Sequence, residues 1–224
     1  MVDDQHLKIA LKGAEYLNKW RLDHNERLSL FEANLRHADL RGANLSHAIL
    51  SGADLSYAKL SRANLTGANL RGANLLETDL SEAKISNAQA SDANFQYARL
   101  YRADLSSANL EFANFTLAEF FGAKLLGSSL IGTLLFYADL FLANFSGAIM
   151  GSTAICGCDL SKCVGLDTVK HKEPSSISLD TLIQSYYGAG KCYTSILESF
   201  FIKAGVTKQL LDILPKILSK EEGH

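Results

Sequence analysis

The chain carries almost no net charge: 22 Lys and Arg stand against 24 Asp and Glu in 224 residues, a formal −2. Such a balance gives no global pull toward nucleic acid or an anionic membrane. Long apolar runs are also missing. The most apolar stretch, 112–150, is broken by Asn114, Glu119, Lys124, Asp139 and Asn144, so it would bury charge if it crossed a bilayer. The first residues, MVDDQHLKIALKGAEY, lack the basic start and apolar core of a secretory signal. Four cysteines at irregular spacing make no disulfide framework, and a reducing cytoplasm is the expected setting. With 47% hydrophobic and 21% charged residues the chain is nonetheless foldable.

What is present is a repeat. Starting at Leu35 and stepping by five, each position to Leu160 is a large apolar residue except Ala90, which gives 26 centres without insertion or deletion. Two residues before each centre stands Ala in 21 cases; the exceptions are Thr78, Ser128, Thr133, Thr153 and Cys158. A helix of 3.6 residues per turn would smear this pattern around every face. A continuous strand would flip alternate leucines outward. The chain must therefore turn once per repeat. The small residue and the centre point inward together, and the next two positions, mainly Ser, Gly, Arg, Tyr and Glu, suit a corner.

The pattern resembles the A(D/N)LXX consensus of the pentapeptide-repeat family, with clear matches at Ala43-Asn44-Leu45, Ala53-Asp54-Leu55, Ala68-Asn69-Leu70, Ala103-Asp104-Leu105 and Ala138-Asp139-Leu140. The resemblance implies an all-β solenoid, a right-handed quadrilateral parallel β-helix with four repeats per coil. Coils spaced by about 4.8 Å would make a rod roughly 30 Å long.

A solenoid exposes strand edges at both ends and needs caps. Leu7, Ala10, Leu11, Ala14 and Leu17 fall at helical spacing. The segment Gly13 to Arg21, GAEYLNKWR, resembles the helical lead-in of bacterial pentapeptide-repeat arrays. After Cys163 the repeat fades: Gly165 replaces a centre, and Pro174 lies in a Ser-rich stretch. Ser178 suits an N-cap for a helix over 179–187. A second helix is expected at about 193–204, and a third after Thr207, kinked or split at Pro215. The expected organisation is an N-terminal helical cap at 1–27, the repeats at 28–163, a linker at 164–177 and a helical extension at 178–224.

Candidate chemistry is sparse. His37 and His47 sit at corners half a coil apart and read as solvated. Asp139 over Glu119 over Arg99 reads as a mixed surface column. Cys156, Cys158 and Cys163 are the best metal candidates, yet Cys158 and Cys163 occupy inward small positions and Cys156 points outward; zinc needs ligands that converge. No catalytic residue, metal or cofactor is expected. The repeat region holds ten basic and twelve acidic residues between 30 and 163. That balance argues against DNA binding. It argues equally against the strongly acidic, DNA-mimicking rods with which some members of the family act on gyrase.

The informative outward residues are apolar and lie in the late coils. Tyr97, Leu117 and Tyr137 fall on one corner column; Tyr101, Phe121 and Phe141 fall on the next; Phe136 and Leu142 adjoin them. So large a patch should not face water. It is expected to be covered by the C-terminal helices, or by a partner protein or second copy of the chain. The expected function is a non-enzymatic interaction or scaffolding module. The alternative is a DNA-mimic effector of gyrase or topoisomerase.

Overall fold

A computed structural model describes residues 4–221. Within the repeats, parallel bridges join residues twenty apart, from Ser29↔Ile49 through Asn144↔Val164. Four repeats therefore make one coil. Each repeat donates three backbone hydrogen bonds between coils. In the repeat around Leu55 these are Asp54 N to Ala33 O (2.9 Å), Leu55 N to Asn74 O (2.8 Å) and Tyr57 N to Leu76 O (2.9 Å). The leucines and alanines of the repeat form one continuous buried column. Inside it Phe95 stacks on Phe115 at 4.6 Å, and Phe115 meets Phe120 at 5.0 Å.

The corner has a local cause. Ala38 N closes a turn onto Leu35 O at 3.1 Å. Every second corner position from 32 to 157 has a φ between 51° and 68°, as the third residue of a type II turn requires. The consensus Asp or Asn supports this turn. Its Oδ1 accepts the N–H two residues on, as from Arg36 to Asn34 (3.2 Å) and from Ser106 to Asp104 (3.0 Å). The five departures from Ala are also satisfied. Thr78, Thr133, Thr153 and Cys158 donate to the carbonyls of Leu55, Leu110, Leu130 and Leu135, and Ser128 donates to Leu125 O.

At the N-terminal end, α1 (Asp4–Leu11) and α2 (Ala14–Asp23) cover the first coil. Asn18 bridges an open edge, donating to Gly42 O at 3.0 Å and accepting from Asn44 N at 2.6 Å. Arg21 donates to Ser46 O at 3.1 Å. Leu17 and Trp20 are buried, but Leu11 is 56% exposed.

The C-terminal end differs from expectation in three ways. First, residues 164–177 are not a free linker but a further, looser part of the coil. The strands β1 (Leu134–Phe136), β2 (Ile149–Met150) and β3 (Ala154–Cys156) are followed by β4 (Lys170–His171), parallel to β2, and β5 (Ser176–Ile177), parallel to β3. Second, α3 (Leu179–Gly188), α4 (Ser195–Lys203) and α5 (Lys208–Glu221) cap the end of the rod. Ser178, Thr181 and Ser185 accept from the backbone N–H groups of Gly157, Cys158 and Leu160 at 3.0–3.2 Å. Third, α5 runs unbroken through Pro215, held by buried Leu211, Leu214 and Leu218 on either side of it. The expected cap Ser178 accepts the N–H of Thr181, and Thr194 at the start of α4 accepts that of Leu197. The ends of the 1–27 and 178–224 segments, at 1–3 and 222–224, lie outside the described residues. Among the described residues no helix is long and apolar enough to cross a membrane.

Two outcomes test this architecture. Leu110→Ala should cost about 2–5 kcal/mol, whereas Ser106→Ala should be nearly neutral; denaturant titration of both variants measures the difference. Ser185→Ala should leave Leu160 N–H unpaired at about 1–3 kcal/mol and speed hydrogen exchange in α3 without melting the early coils.

Acid should loosen the same cap. Burial, aided by nearby Lys203, lowers the His171 pKa below 6.5, and neither ring nitrogen has a hydrogen-bond partner among the described residues. As pH falls past about 6.5 the unfolded state takes up the proton first, so stability falls with pH. Limited proteolysis near Pro174 should therefore accelerate below that pH in the natural chain and not in His171→Phe.

Candidate interaction surface

The corners after Phe95, Leu100 and their equivalents in later coils place side chains outward, one above another, because successive coils repeat every twenty residues. On one corner Tyr97, Leu117 and Tyr137 are 51%, 40% and 60% exposed. On the next, Tyr101 stacks on Phe121 at 5.3 Å and Phe121 on Phe141 at 5.6 Å. Phe136 and Leu142 sit on the outer sides of the two corners, half-buried and exposed respectively. The Arg102 guanidinium lies 5.0 Å from the Tyr101 ring. Tyr97, Leu117, Tyr137, Tyr101, Phe121 and Phe141 therefore flank one wall of the rod, with Phe136 and Leu142 just beyond its two edges.

The C-terminal helices do not cover this face, which corrects the expectation that the tail would dock there. The physical reason lies at the end of the rod. The last coil presents unpaired backbone N–H groups and an open core, and leaving those bare costs more than solvating a ring face. The tail's buried residues, among them Leu182, Leu197, Phe200 and Phe201, pack with that end and with one another. Two residues of α3 reach the end of the wall: Gln184 at the rim of its last recess and Gly188 against the Asp159 carboxylate.

Between the two aromatic corners runs a column that the sequence reading did not connect with them. Asp39, Lys59, Asp79, Arg99, Glu119 and Asp139 bridge in succession along it, and Asp159 follows twenty residues on, where the ladder of bridges has stopped. The sequence had shown Arg99, Glu119 and Asp139 as one column, here extended to Asp39 and joined to the corners that flank it. Two recesses open on this wall. One, of about 320 Å³, is lined by Glu77, Tyr97, Arg99, Leu117 and Glu119. The other, of about 220 Å³, is lined by Tyr137, Asp139, Phe141, Gly157, Asp159 and Gln184. A third, larger hollow lies elsewhere, between β5 and the start of α5, with Cys156, Ile177, Leu179, Val206 and Leu210 in its lining.

The remaining candidates do not converge. Among the described residues no cluster of His, Cys, Asp or Glu could hold a metal ion. Burial pushes the Cys158 thiol up to about 12 and raises Cys163 well above its ordinary value, so both stay protonated and act as inward hydrogen-bond donors. His37 stacks on Tyr57 at 5.0 Å, and the His47 ring rests over Gly67. Asp39 is held below its usual pKa by the hydrogen bond from Arg41. For Asp54, burial acts to raise the pKa, but hydrogen bonds from Ser56 and Arg36 leave it lowered overall.

Comparison with known proteins agrees with the repeat. The family model described as pentapeptide repeats matches in eight copies, over residues 29–67, 58–96 and 98–135. No curated protein matches the chain. Among solved structures, HetL, a pentapeptide repeat protein involved in heterocyst differentiation regulation from the cyanobacterium Nostoc sp. strain PCC 7120, is 30% identical. That match covers 65% of this chain and 77% of HetL at a TM-score of 0.34. Trypsin-treated QnrB1, a plasmid-mediated fluoroquinolone resistance protein, is 21% identical over 66% of this chain and 84% of its own, at a TM-score of 0.37. A pentapeptide repeat protein of the cyanobacterium Cyanothece 51142 is 23% identical over 72% of this chain and 97% of its own, at 0.35. With an unbroken five-residue period, an Asp- or Asn-supported corner in repeat after repeat and the matching family model, this chain belongs to the pentapeptide-repeat family.

Proposed function

We propose that this chain is a non-enzymatic protein-interaction module whose late-coil wall binds a partner protein. One observation carries the reading: the ladder Tyr101, Phe121 and Phe141 is stacked, half-buried at its middle ring and exposed at both ends, beside exposed Tyr97, Leu117 and Tyr137. Apolar surface of this kind gains about 25 cal/mol per Å² when covered. Stacked aromatics on a stiff support lose little conformational freedom on binding, which favours them at interfaces. The rod supplies rigidity and the helices seal its end. Four cysteines free of disulfides fit a reducing compartment, and the cytoplasm is the proposed setting.

The alternative, a DNA-mimicking effector of gyrase, requires a strong negative field. Ten basic against twelve acidic residues over 30–163 supports the interaction module over the mimic. The purified chain should neither shift duplex DNA nor inhibit supercoiling at stoichiometric concentration; salt-sensitive inhibition of gyrase would instead promote the mimic. A photo-crosslinking residue at Phe141, in the native host, should yield discrete protein adducts, and the same residue at Arg71 should yield none. Phe121→Ser with Phe141→Ser should abolish recovery of the crosslinked partner by the purified chain while leaving the melting of the rod nearly unchanged. Equal adducts at both positions would refute this wall as the interface.

A further inference from the structure

From the charge pattern of the same wall we infer that its partner presents an arginine side chain, which enters the recess between Tyr137 and Phe141 and binds Asp139 and Asp159. The inference rests on the reading of this wall as an interface and adds the chemistry of the occupant.

Charges along the central column alternate in sign through the early coils: Asp39, Lys59, Asp79, Arg99, Glu119. With coils about 4.8 Å apart, each charge has an opposite one as its neighbour above or below. The alternation stops at Glu119. Asp139 and Asp159 follow, so three carboxylates stand in succession with no basic residue between them. Elsewhere several carboxylates are paired within the rod: Arg62 pairs with Glu82, Arg71 with Asp92, Arg36 with Asp54 and Arg41 with Asp39. Another column is neutralised by an amide ladder, in which Asn74 donates to Asp54 and Asn94 to Asn74. Among the described residues no ion pair involves Glu119, Asp139 or Asp159.

The break in alternation coincides with the aromatic rims. Asp139 and Asp159 line the smaller recess together with Tyr137, Phe141 and Gln184, and Gly188 of α3 lies against the Asp159 carboxylate. At about 220 Å³ it falls below the roughly 300–1,000 Å³ of drug-sized ligand sites and suits a single long side chain. Two carboxylates on adjacent coils match the planar fork of a guanidinium, which donates in parallel to carboxylate oxygens. Aromatic faces attract the same cation within about 6 Å. A carboxylate-bearing partner would meet repulsion here, and a purely apolar one would bury two unpaired charges.

The test uses the full chain and two fluorescent peptides, one of alternating leucine and arginine, the other with citrulline at every arginine. Asp139→Asn with Asp159→Asn removes the charge but keeps the turn, because Asn in the same position also accepts the N–H two residues on, as Asn144 does from Ser146. Asp104→Asn with Glu111→Gln removes equal charge from other walls. The arginine peptide should bind at least about tenfold more tightly than the citrulline peptide, and weaken by a similar factor in Asp139→Asn/Asp159→Asn but not in the control pair. Equal affinity for the two peptides, no binding of either, or equal loss in both charge variants overturns the inference. The interface reading fails separately. If Phe121→Ser/Phe141→Ser abolishes capture of the crosslinked partner while Asp139→Asn/Asp159→Asn leaves it intact, the wall remains an interface and only the arginine is wrong.

Discussion

Each repeat hydrogen-bonds to the repeat twenty residues ahead of it, and the rest of the molecule follows from that one register. The bonds are short and regular, as in Leu70 N to Gln89 O at 2.6 Å and Leu105 N to Lys124 O at 2.7 Å. They require that no coil gain or lose a residue, which explains an array without insertions. They also require a corner every five residues that bulky side chains can tolerate. Left-handed φ at Tyr97 and Phe112 is unfavourable for such residues in isolation. The Asp or Asn hydrogen bond, the turn hydrogen bond and the inter-coil ladder together hold it.

The same register makes the ends a problem, because a ladder that stops leaves donors and acceptors bare. Both ends solve it with side chains borrowed from helices. Asn18 stands in for a missing strand at one end by donating and accepting at once. At the other, the Thr181 hydroxyl enters the final corner, accepting from Cys158 N and donating to Ile155 O. A serine, threonine or asparagine on a helix can be placed wherever the open group lies, whereas another coil would merely move the edge along.

Almost all of the rod was legible in the sequence because its signal is repeated and in phase. Leu35, Leu40 and their successors could be placed inward by counting alone. The cap at 178–187 was also legible, through the N-capping chemistry of Ser178. What could not be read was the destination of the tail. Leu211, Leu214 and Leu218 announce a buried face but not what buries it. The hydroxyls that decide the docking, Ser185 and Thr181, look like ordinary helix-surface residues until the bare N–H groups of the last coil lie beneath them. The continuity of α5 through Pro215 was hidden for the same reason, since packing overrides the local preference. On the wall, the two aromatic corners were visible as columns, but the acidic floor between them emerged only when all three columns were seen on one face.

A rod of this kind separates what stabilises it from what it shows. Inward positions tolerate little beyond Ala, Leu and Phe, while corner residues are free to vary within one constraint from the coil above. Where a bulky corner residue leans over its successor, a stacking ring or a glycine accommodates it. Tyr101, Phe121 and Phe141 take the first course. Tyr137 takes the second: a Cβ on Gly157 would stand 2.4 Å from its ring. The Tyr137 ring is therefore laid across the level of Gly157, toward the height of Asp159, and forms one side of the recess there. The opposite side is the top of the stacked ladder at Phe141. The glycine thus answers to the ring that lies over it and not to the ladder of hydrogen bonds, which would accept another residue at that corner.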